Sequence, residues 1–323
     1  MRIPPYVALV ALALASLLAL PFVGSSYLVV LCFIVNLHLV MAASYDIVGG
    51  YMGYINLGHA SFFGIGAYAF GILYLQGVGV LHSLAAGGLA AAVFAALVSV
   101  PLLRIRGIYF ALATFGMVKL LELITINLRE VTGGSWGLSI SGTTPARLTY
   151  GLSVVLALGT LAANAWIARS RLGLALVSIR EDEEVADVSG VRVFWSKWLA
   201  MVISAVTPGI MGGLYLWQVK YLDPHSAFGS EITFVPVVMA MFGGSGVLVG
   251  PILGTVFLSF IEEVLWTRIP YLHLATYGLV FLLVGLFMPG GVARTEGFLR
   301  VARALRLPSH YGFVPQARRR AAT

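Results

Sequence analysis

SLAAGGLAAAVFAALVSVPLL, residues 83–103, is a stretch of the chain without a charged side chain. A run of about 20 apolar residues is long enough to cross the hydrocarbon core of a bilayer as a helix. The run does not alternate between apolar and polar residues, as a strand of a membrane barrel does. It therefore predicts a membrane-spanning helix, in which the backbone satisfies its own hydrogen bonds.

Similar runs recur along the whole chain. The 323 residues are 59% hydrophobic and only 10% charged, whereas about one quarter of the residues of a soluble domain are charged. We predict an all-α polytopic membrane protein with about ten transmembrane or broken helices. The predicted segments are Pro5–Val23, Tyr27–Tyr45, Gly58–Gly77, Ser83–Leu103, Gly107–Leu128, Gly151–Ala168, Trp198–Val219, Ile232–Phe242, Val247–Trp266 and Tyr271–Met288.

The polar segments between these spans are short, so we predict a single transmembrane domain over residues 1–323. Residues 129–147 form the longest predicted outer loop. Residues 169–197 form a charged inner loop, and residues 289–323 form a basic tail.

The basic residues set the predicted orientation, because cytoplasmic loops are rich in lysine and arginine. A cytoplasmic amino terminus places fifteen of the 20 basic residues inside and four outside, with Lys119 within a span. We therefore expect a multi-pass protein of the bacterial inner membrane with both termini in the cytoplasm. The alternative for the first apolar run is a secretory signal that is cleaved.

Other features exclude several classes of function. Cys32 is the single cysteine, so neither a disulfide framework nor a cysteine metal site is possible, and we expect no metal site. Topology and anionic lipid explain the net charge of +7, so no nucleic-acid partner is expected. Motifs of intramembrane enzymes are absent from the sequence, and we expect neither catalytic residues nor a cofactor on this chain.

The inner loop carries the most informative motif, SRLGLALVSIREDEEVADVSGVRVFWSK at residues 170–197. On a helix Glu181, Glu184 and Val188 lie on neighbouring faces, and Val177, Val185 and Val188 can form a thin apolar strip. A short helix with an acidic face and such a strip suits docking into a groove of a partner protein. The alternative is a solvated loop.

Gly190 marks the expected end of the helix in this loop, and the lack of a nucleotide-binding motif bears on its partner. Gly190 is suited to the position just after a helix. The chain has no G-x-x-x-x-G-K-[ST] phosphate loop, so ATP-driven transport would require an ATPase on a separate chain.

Polar groups and glycines inside the spans are candidates for a translocation path. Asn56, His59 and Ser61 lie at or near membrane depth, where an unpaired polar group is costly, so they should face protein or water. Gly243 and Gly244 fall at a predicted helix break, and such breaks often mark a substrate path. The alternatives are helix packing, a structural histidine and a tight turn without substrate contact.

Lys119 and Glu122 are the oppositely charged residues of one predicted span, at i, i+3 spacing. We expect an intramembrane ion pair that faces the bundle interior. A substrate role is the alternative, because a zwitterion needs both signs.

Several of these motifs resemble one family. Glu184, Val185 and Ala186, followed by Gly190, are similar to the Glu-Ala-Ala and glycine pattern of the coupling loop in ABC importer permeases, with valine in place of the first alanine. The longer IREDEEVADVSGV resembles the loop of branched-chain amino-acid ABC permeases of the M type, the LivM family. Segments at 55–69, 106–116, 132–138 and 241–254 resemble the same family in the same order.

This resemblance implies the fold of an ABC importer permease that forms half of a translocation pathway for leucine, isoleucine and valine. The implied partners are a paralogous H-type permease, two ATP-binding subunits, an extracytoplasmic substrate-binding protein and membrane lipid. The implied ATPase contacts are Arg180, Glu181, Glu184, Val185, Ala186 and Gly190. The alternatives are a urea or short-amide ABC permease and an ion-coupled secondary amino-acid transporter.

Overall fold

A computed structural model describes residues 26–142, 144–268, 278–279, 282 and 291–294 of the chain. The predicted span Pro5–Val23 lies outside the described residues, as do most of Tyr271–Met288 and most of the basic tail.

The described chain is a succession of helices. They are α1 (Ser26–Asp46) with a π-helical turn (Ile47–Tyr51), α2 (His59–Leu75), α3 (Val80–Leu102), α4 (Ile108–Asn127), α5 (Arg129–Thr132), α6 (Ala146–Arg169), α7 (Arg171–Glu181), α8 (Glu183–Val188), α9 (Val193–Val219), α10 (Pro224–Ala227), α11 (Ser230–Gly243) and α12 (Gly250–Arg268). Short 3-10 turns cover Gly134–Trp136 and Val292–Arg294, and two strands are β1 (Leu138–Ser139) and β2 (Tyr221–Leu222).

The prediction of an all-α polytopic protein is confirmed. Among the described residues, six helical stretches are long and apolar enough to cross a membrane: Ser26–Tyr51, Val80–Leu102, Ile108–Asn127, Ala146–Arg169, Val193–Val219 and Pro224–Gly243. Helix α2 is a shorter apolar helix of 17 residues. The predicted segment Ile232–Phe242 was too short, because α10 and α11 together form a stretch of 20 residues.

Three glycines bring the central helices α2, α3 and α9 into backbone contact. A Cβ atom on Gly66 of α2 would lie 2.0 Å from the carbonyl oxygen of Gly209 in α9. A Cβ atom on Gly87 of α3 would lie 2.8 Å from the carbonyl oxygen of Gly66. Small residues allow helices in a membrane to approach this closely, so these three positions set the spacing of the core.

The sequence suggests a different set of close contacts in α2, with small residues at Ala60 and Gly64 and at Ala67 and Gly71. In the structure, a Cβ on Gly64 would instead meet the aromatic ring of Phe228, at 2.3 Å from its Cε1. Gly64 therefore accommodates an aromatic side chain beyond α10. The backbone of the neighbouring helix is approached at Gly66, two residues further along α2.

One end of the bundle is closed by short elements that join distant parts of the chain. Leu138 of β1 pairs with Leu222 of β2 in an antiparallel register. Gly133 and Gly137 lead into β1 with φ angles of 76° and 68°, which favour glycine. Both connections were predicted on the outer side, and the strand pair places them at the same end.

The π-helical turn changes the predicted connection between α1 and α2. The glycines at 49, 50 and 53 suggest a break that puts Asn56 at the start of a helix. Instead, α2 begins at His59, and Asn56 Oδ1 accepts a hydrogen bond from Gly58 N at 2.8 Å. Asn56 thus stabilises the turn before the helix rather than its first residue.

Candidate functional site

The inner loop folds as two helices, and this corrects the apolar strip that the sequence suggests. Asp182 separates α7 from α8 with an extended backbone, at φ −160° and ψ 115°. Its Oδ1 atom accepts hydrogen bonds from Glu184 N at 2.9 Å and Val185 N at 3.0 Å, which caps α8. Val177 is buried in α7, whereas Val185 and Val188 are exposed on α8. The three valines therefore do not form one strip.

Gly190 ends α8 as its position predicts. Its φ angle is 87°, and its N–H donates to the carbonyl oxygen of Asp187 at 2.9 Å. The N–H of Val191 donates to the carbonyl oxygen of Ala186 at 3.0 Å. These two bonds form a Schellman motif, which fixes where the helix stops and where the chain turns toward α9.

Glu183 anchors α8 to the membrane helices. Its Oε1 atom lies 2.8 Å from Lys197 Nζ of α9 and 3.2 Å from Arg106 Nη2 in the α3–α4 connection. Its Oε2 atom accepts a hydrogen bond from the hydroxyl of Tyr54 at 2.5 Å. We call these four residues the Glu183 cluster. It joins the inner loop to three other segments of the chain.

The Glu183–Lys197 pair at the centre of the Glu183 cluster is well shielded from solvent, whereas the Arg106 side chain is 57% exposed. Only 3% of the Lys197 side chain is exposed, and its Nζ lies 5.0 Å from the centre of the Tyr54 ring. Burial alone would raise the pKa of Glu183. The hydrogen bonds from Lys197 and Tyr54 and the charges of Lys197 and Arg106 outweigh burial, so the pKa of Glu183 lies below its ordinary value. Glu183 is therefore ionised at neutral pH.

The face of α8 that points away from this anchor is open. The Glu184 side chain is 86% exposed and Val188 is 86% exposed, with Val185 exposed beside them. A groove of about 380 Å³ runs between this face and the start of α9; its lining includes Arg106, Glu184, Asp187, Val188 and Phe194. We call Glu184, Val185 and Val188 the α8 edge. It combines a negative charge with apolar side chains on a fixed base.

Two residues of the predicted ATPase contact point inward. Ala186 is buried in an apolar cluster with Ile179 and Leu103. Arg180 is partly buried, and its Nη1 atom donates a hydrogen bond to the carbonyl oxygen of Gly50 in the π-helical turn at 2.7 Å. Glu181 is exposed beside the break between α7 and α8. The structure thus divides the predicted contact into an exposed edge and an inward-facing support.

The candidate path residues in the first turn of α2 and just before it are packed inside the protein. Asn56, His59 and Ser61 are all buried. The His59 ring makes edge contacts with the rings of Tyr45 and Phe62. Within the described part of the chain, the Ser61 hydroxyl has no hydrogen-bond partner. These three residues line neither the groove between α1 and α12 nor the groove beside α8.

Gly243 and Gly244 form a tight turn between α11 and α12. A Cβ on Gly243 would lie 1.7 Å from the carbonyl oxygen of Gly250, and Gly244 has a φ angle of 113°. The neighbouring Gly246 N donates to Asp46 Oδ1 at the end of α1, at 2.8 Å. The turn therefore lies at the same end of the bundle as the inner loop, rather than in the middle of a span.

Lys119 and Glu122 of α4 lie in contact, with Nζ and Oε2 2.9 Å apart. His225 of α10 also contacts this ion pair, because its Nδ1 lies 2.6 Å from Glu122 Oε1. Glu122 is buried, as expected for a residue that faces the bundle interior. The Lys119 side chain, in contrast, is 42% exposed. His225 is 72% exposed. The group therefore lies where α4 meets the segment after β2.

Sequence reasoning missed the residues of the Glu183 cluster. Glu183 was one acid among four in succession, and nothing in the local sequence distinguishes it from Glu184. A usable signal was present in α9, because Lys197 lies within a largely apolar stretch, with Trp195 before it and Trp198 directly after it. A lysine at such a position needs a carboxylate partner when it is buried.

The chain is similar to known membrane transport proteins. The family described as "Branched-chain amino acid transport system / permease component" matches residues 27–285. The high-affinity branched-chain amino acid transport system permease protein LivM of Escherichia coli K12 is 27% identical, with 92% of this chain and 75% of that protein covered. LivM of Salmonella typhimurium LT2 is 28% identical, with 88% and 73% covered.

More distant relatives carry other names. The nucleoside ABC transporter permease protein NupC of Lactococcus lactis is 22% identical, with 75% of this chain and 86% of that protein covered. The autoinducer 2 import system permease protein LsrC of Enterobacter sp. 638 is 27% identical, with 65% and 63% covered. No solved structure matches the chain.

Proposed function

Because the chain belongs to the family of branched-chain amino acid transport system permease components, we propose that it forms half of the pathway through which an ABC importer takes up leucine, isoleucine and valine. Two separate ATP-binding subunits drive this importer, and a paralogous H-type permease forms the other half. An extracytoplasmic binding protein delivers the substrate. The similarity to LivM over about nine tenths of the chain supports the substrate class.

The observation that carries the mechanism is the α8 edge on its anchored base. Glu184, Val185 and Val188 are exposed, while Glu183 in the same helix is tied to α9. Movement of a partner bound to the α8 edge is therefore transmitted to the membrane helix α9. Free energy from ATP can be linked to transport if the two conformations of the importer differ in these contacts.

The proposed location is the bacterial inner membrane, with both termini in the cytoplasm. The structure supports the alternation of the loops, since segments assigned to the inner side meet at one end. Arg106, Arg180 and Lys197 lie there with the end of α1. The excess of basic residues at this end favours the cytoplasmic side.

The proposed path passes the buried polar groups near the start of α2. It also passes the turn at Gly243 and Gly244 between α11 and α12, which we call the glycine turn. Ser61 has a hydroxyl without a partner in the described residues, which is costly unless a water or substrate reaches it at some stage. Asn56 and His59 lie in the same segment, and Gly243 and Gly244 end α11. In the proposed mechanism these groups become accessible when the glycine turn moves away from α1.

The experiment uses the complete importer in reconstituted vesicles, with its ATPase chains and its binding protein. Uptake of labelled leucine, isoleucine and valine is compared with uptake of urea, a nucleoside and autoinducer 2. We expect ATP-dependent uptake of the branched-chain amino acids. Uptake of another member of the panel instead would overturn the substrate class, and uptake without ATP would overturn the importer class.

The docking role of the α8 edge has its own test. Glu184→Lys reverses the exposed charge and should weaken co-purification of the ATPase chains, while the protein remains folded and inserted. Glu130→Lys, an exposed acid of α5 at the opposite end, is the control and should keep full association. Full association and coupled transport in Glu184→Lys would show that the loop is only a solvated connector.

A further inference from the structure

Four residues from three distant parts of the chain meet where α1 ends. Asp46 is the last residue of α1 and is buried. Its Oδ1 accepts the hydrogen bond from Gly246 N. Arg180 of α7 reaches the same place and donates to Gly50 O. We call Asp46, Gly50, Arg180 and Gly246 the inner junction. It connects the inner loop, the π-helical turn and the turn between α11 and α12.

Arg180 stabilises the carboxyl-terminal end of the α1 segment in the inner junction. The last carbonyl groups of a helix lack partners within it, and the carbonyl ends carry partial negative charge. Gly50 lies in the last turn of the α1 segment, so the guanidinium of Arg180 caps that end with a charge-assisted bond. The aliphatic part of the same side chain packs on Gly53, where a Cβ would lie 2.5 Å from Arg180 Cγ.

The glycines make the inner junction tight. A Cβ on Gly50 would lie 2.4 Å from Gly246 N, and a Cβ on Gly246 would lie 3.0 Å from both Arg180 Nη1 and Gly50 O. Gly246 also has a φ angle of 78°. The two turns therefore touch through backbone atoms, with the guanidinium beside them, and a displacement of one is transmitted to the other.

The π-helical turn is the element that can change. A π-turn has one more residue in its hydrogen-bonded loop than an α-turn and is frequent at functional sites. Its conversion to α-helix rotates the following residues by about 100°, the angle of one residue in an α-helix. The rotated segment would be Gly50 to Asn56, which leads into α2.

From this geometry we propose that Arg180 is the positioning residue that transmits movement of α7 and α8 to the inner gate. The gate consists of the π-helical turn of α1 and the glycine turn between α11 and α12. Release of the Arg180 bond frees both turns together and opens the cytoplasmic end of the path. This inference rests on the proposed function, because ATPase chains must act on the α8 edge for α7 to move.

The test compares Arg180→Ala, Arg180→Lys and the control Arg171→Ala in the complete importer. Arg171 is exposed in the first turn of the same helix. We measure association of the ATPase chains, stimulation of hydrolysis by the loaded binding protein, and substrate taken up per ATP. Arg180→Ala should keep association and lose at least about tenfold in uptake per ATP, as expected from loss of one hydrogen bond to a charged group. Arg180→Lys should recover part of this ratio, and Arg171→Ala should match the unmodified protein.

A second variant approaches the inner junction from the other side. Gly246→Ala pushes a methyl group against the guanidinium and should reproduce the loss in Arg180→Ala. Gly142→Ala is the matched control, because Gly142 also has a positive φ but has nothing within 4 Å of its Cβ position. It should retain the normal ratio.

The outcomes separate this inference from the proposed function. Loss of ATPase association in Arg180→Ala would make Arg180 a direct contact and would overturn the inference. An unchanged ratio in both variants, or failure of both to assemble while the controls assemble, would overturn it as well. Every ratio is taken relative to the unmodified importer with the substrate that it carries. A wrong substrate class therefore shows in the uptake panel and leaves this comparison intact.

Discussion

Glu183 Oε1 lies 2.8 Å from Lys197 Nζ, fourteen residues later in the chain, and this contact ties the inner loop to the membrane helix that follows it. Both side chains are largely buried. Glu184, the next residue, is exposed. Two adjacent glutamates thus have opposite environments, and they should respond differently to substitution.

Glu183→Ala should destabilise the protein strongly. It leaves the buried Lys197 ammonium without its carboxylate, and loss of one partner of a buried ion pair costs roughly 3–5 kcal/mol. Glu184→Ala is the matched control, since substitutions of exposed side chains usually change stability by less than about 0.5 kcal/mol. Thermal unfolding of the detergent-solubilised protein measures both. Equal melting temperatures for the two variants would contradict the assignment of Glu183 as the anchor.

The same anchor predicts a dependence on pH. The pKa of Glu183 is lower in the folded protein than in the unfolded chain, so the unfolded state binds more protons as the solution is acidified. The stabilisation is complete above the ordinary carboxyl pKa of about 4.3 and is lost as the pH falls through the lower folded value. The difference in free energy of unfolding between wild type and Glu183→Gln should be constant near neutral pH and shrink in acid. A difference that grows in acid would give the wrong sign.

Gly66, Gly87 and Gly209 form what we call the three-glycine contact. Replacement by alanine should have opposite effects at Gly66, inside this contact, and at Gly116, outside it. Gly66→Ala places a methyl group on the backbone of Gly209 and should destabilise by about 1–3 kcal/mol or more. Gly116→Ala in α4 has open space at its Cβ position and should stabilise by about 0.4–1 kcal/mol. Unfolding midpoints and the yield of the assembled complex report both. A stabilising Gly66→Ala would show that α2 and α9 are further apart than the structure has them.

The topology is tested by cysteine labelling in a Cys32→Ala background. Val188 and Ser141 are both exposed and lie in loops predicted on opposite sides. An impermeant maleimide should label Ser141→Cys in intact cells and Val188→Cys only in inverted vesicles. Val188 is a better position than Ala186, because Ala186 is buried. Labelling of Val188→Cys from outside would invert the whole map.

The sequence was sufficient to predict most of the spans, because long apolar runs have one stable form in lipid. Ser83–Leu103 and Gly107–Leu128 differ from α3 and α4 by one to three residues at each end. The motif at 184–190 also predicted the end of α8, since Gly190 is needed for a positive φ. Local preferences decided these features.

Features that depend on distant partners were not predictable from local patterns. Asp182 breaks the inner helix by capping α8, although the spacing of Glu181, Glu184 and Val188 suggests one helix. Arg180 and Glu183 differ from their charged neighbours only in what they reach, Gly50 and Lys197 respectively. In α2, Gly64 and Gly66 both suit close packing, and only the fold shows which one meets a backbone.

The three-glycine contact also defines a frame of reference for the protein's motions. Where α2, α3 and α9 touch through Gly66, Gly87 and Gly209, no side chain lies between the backbones to change its rotamer and absorb a shift. We therefore expect the three helices to move together as a single body. When structures of different transport states are superposed on these helices, the displacements that remain should belong to the segments around them, including the turn between α11 and α12.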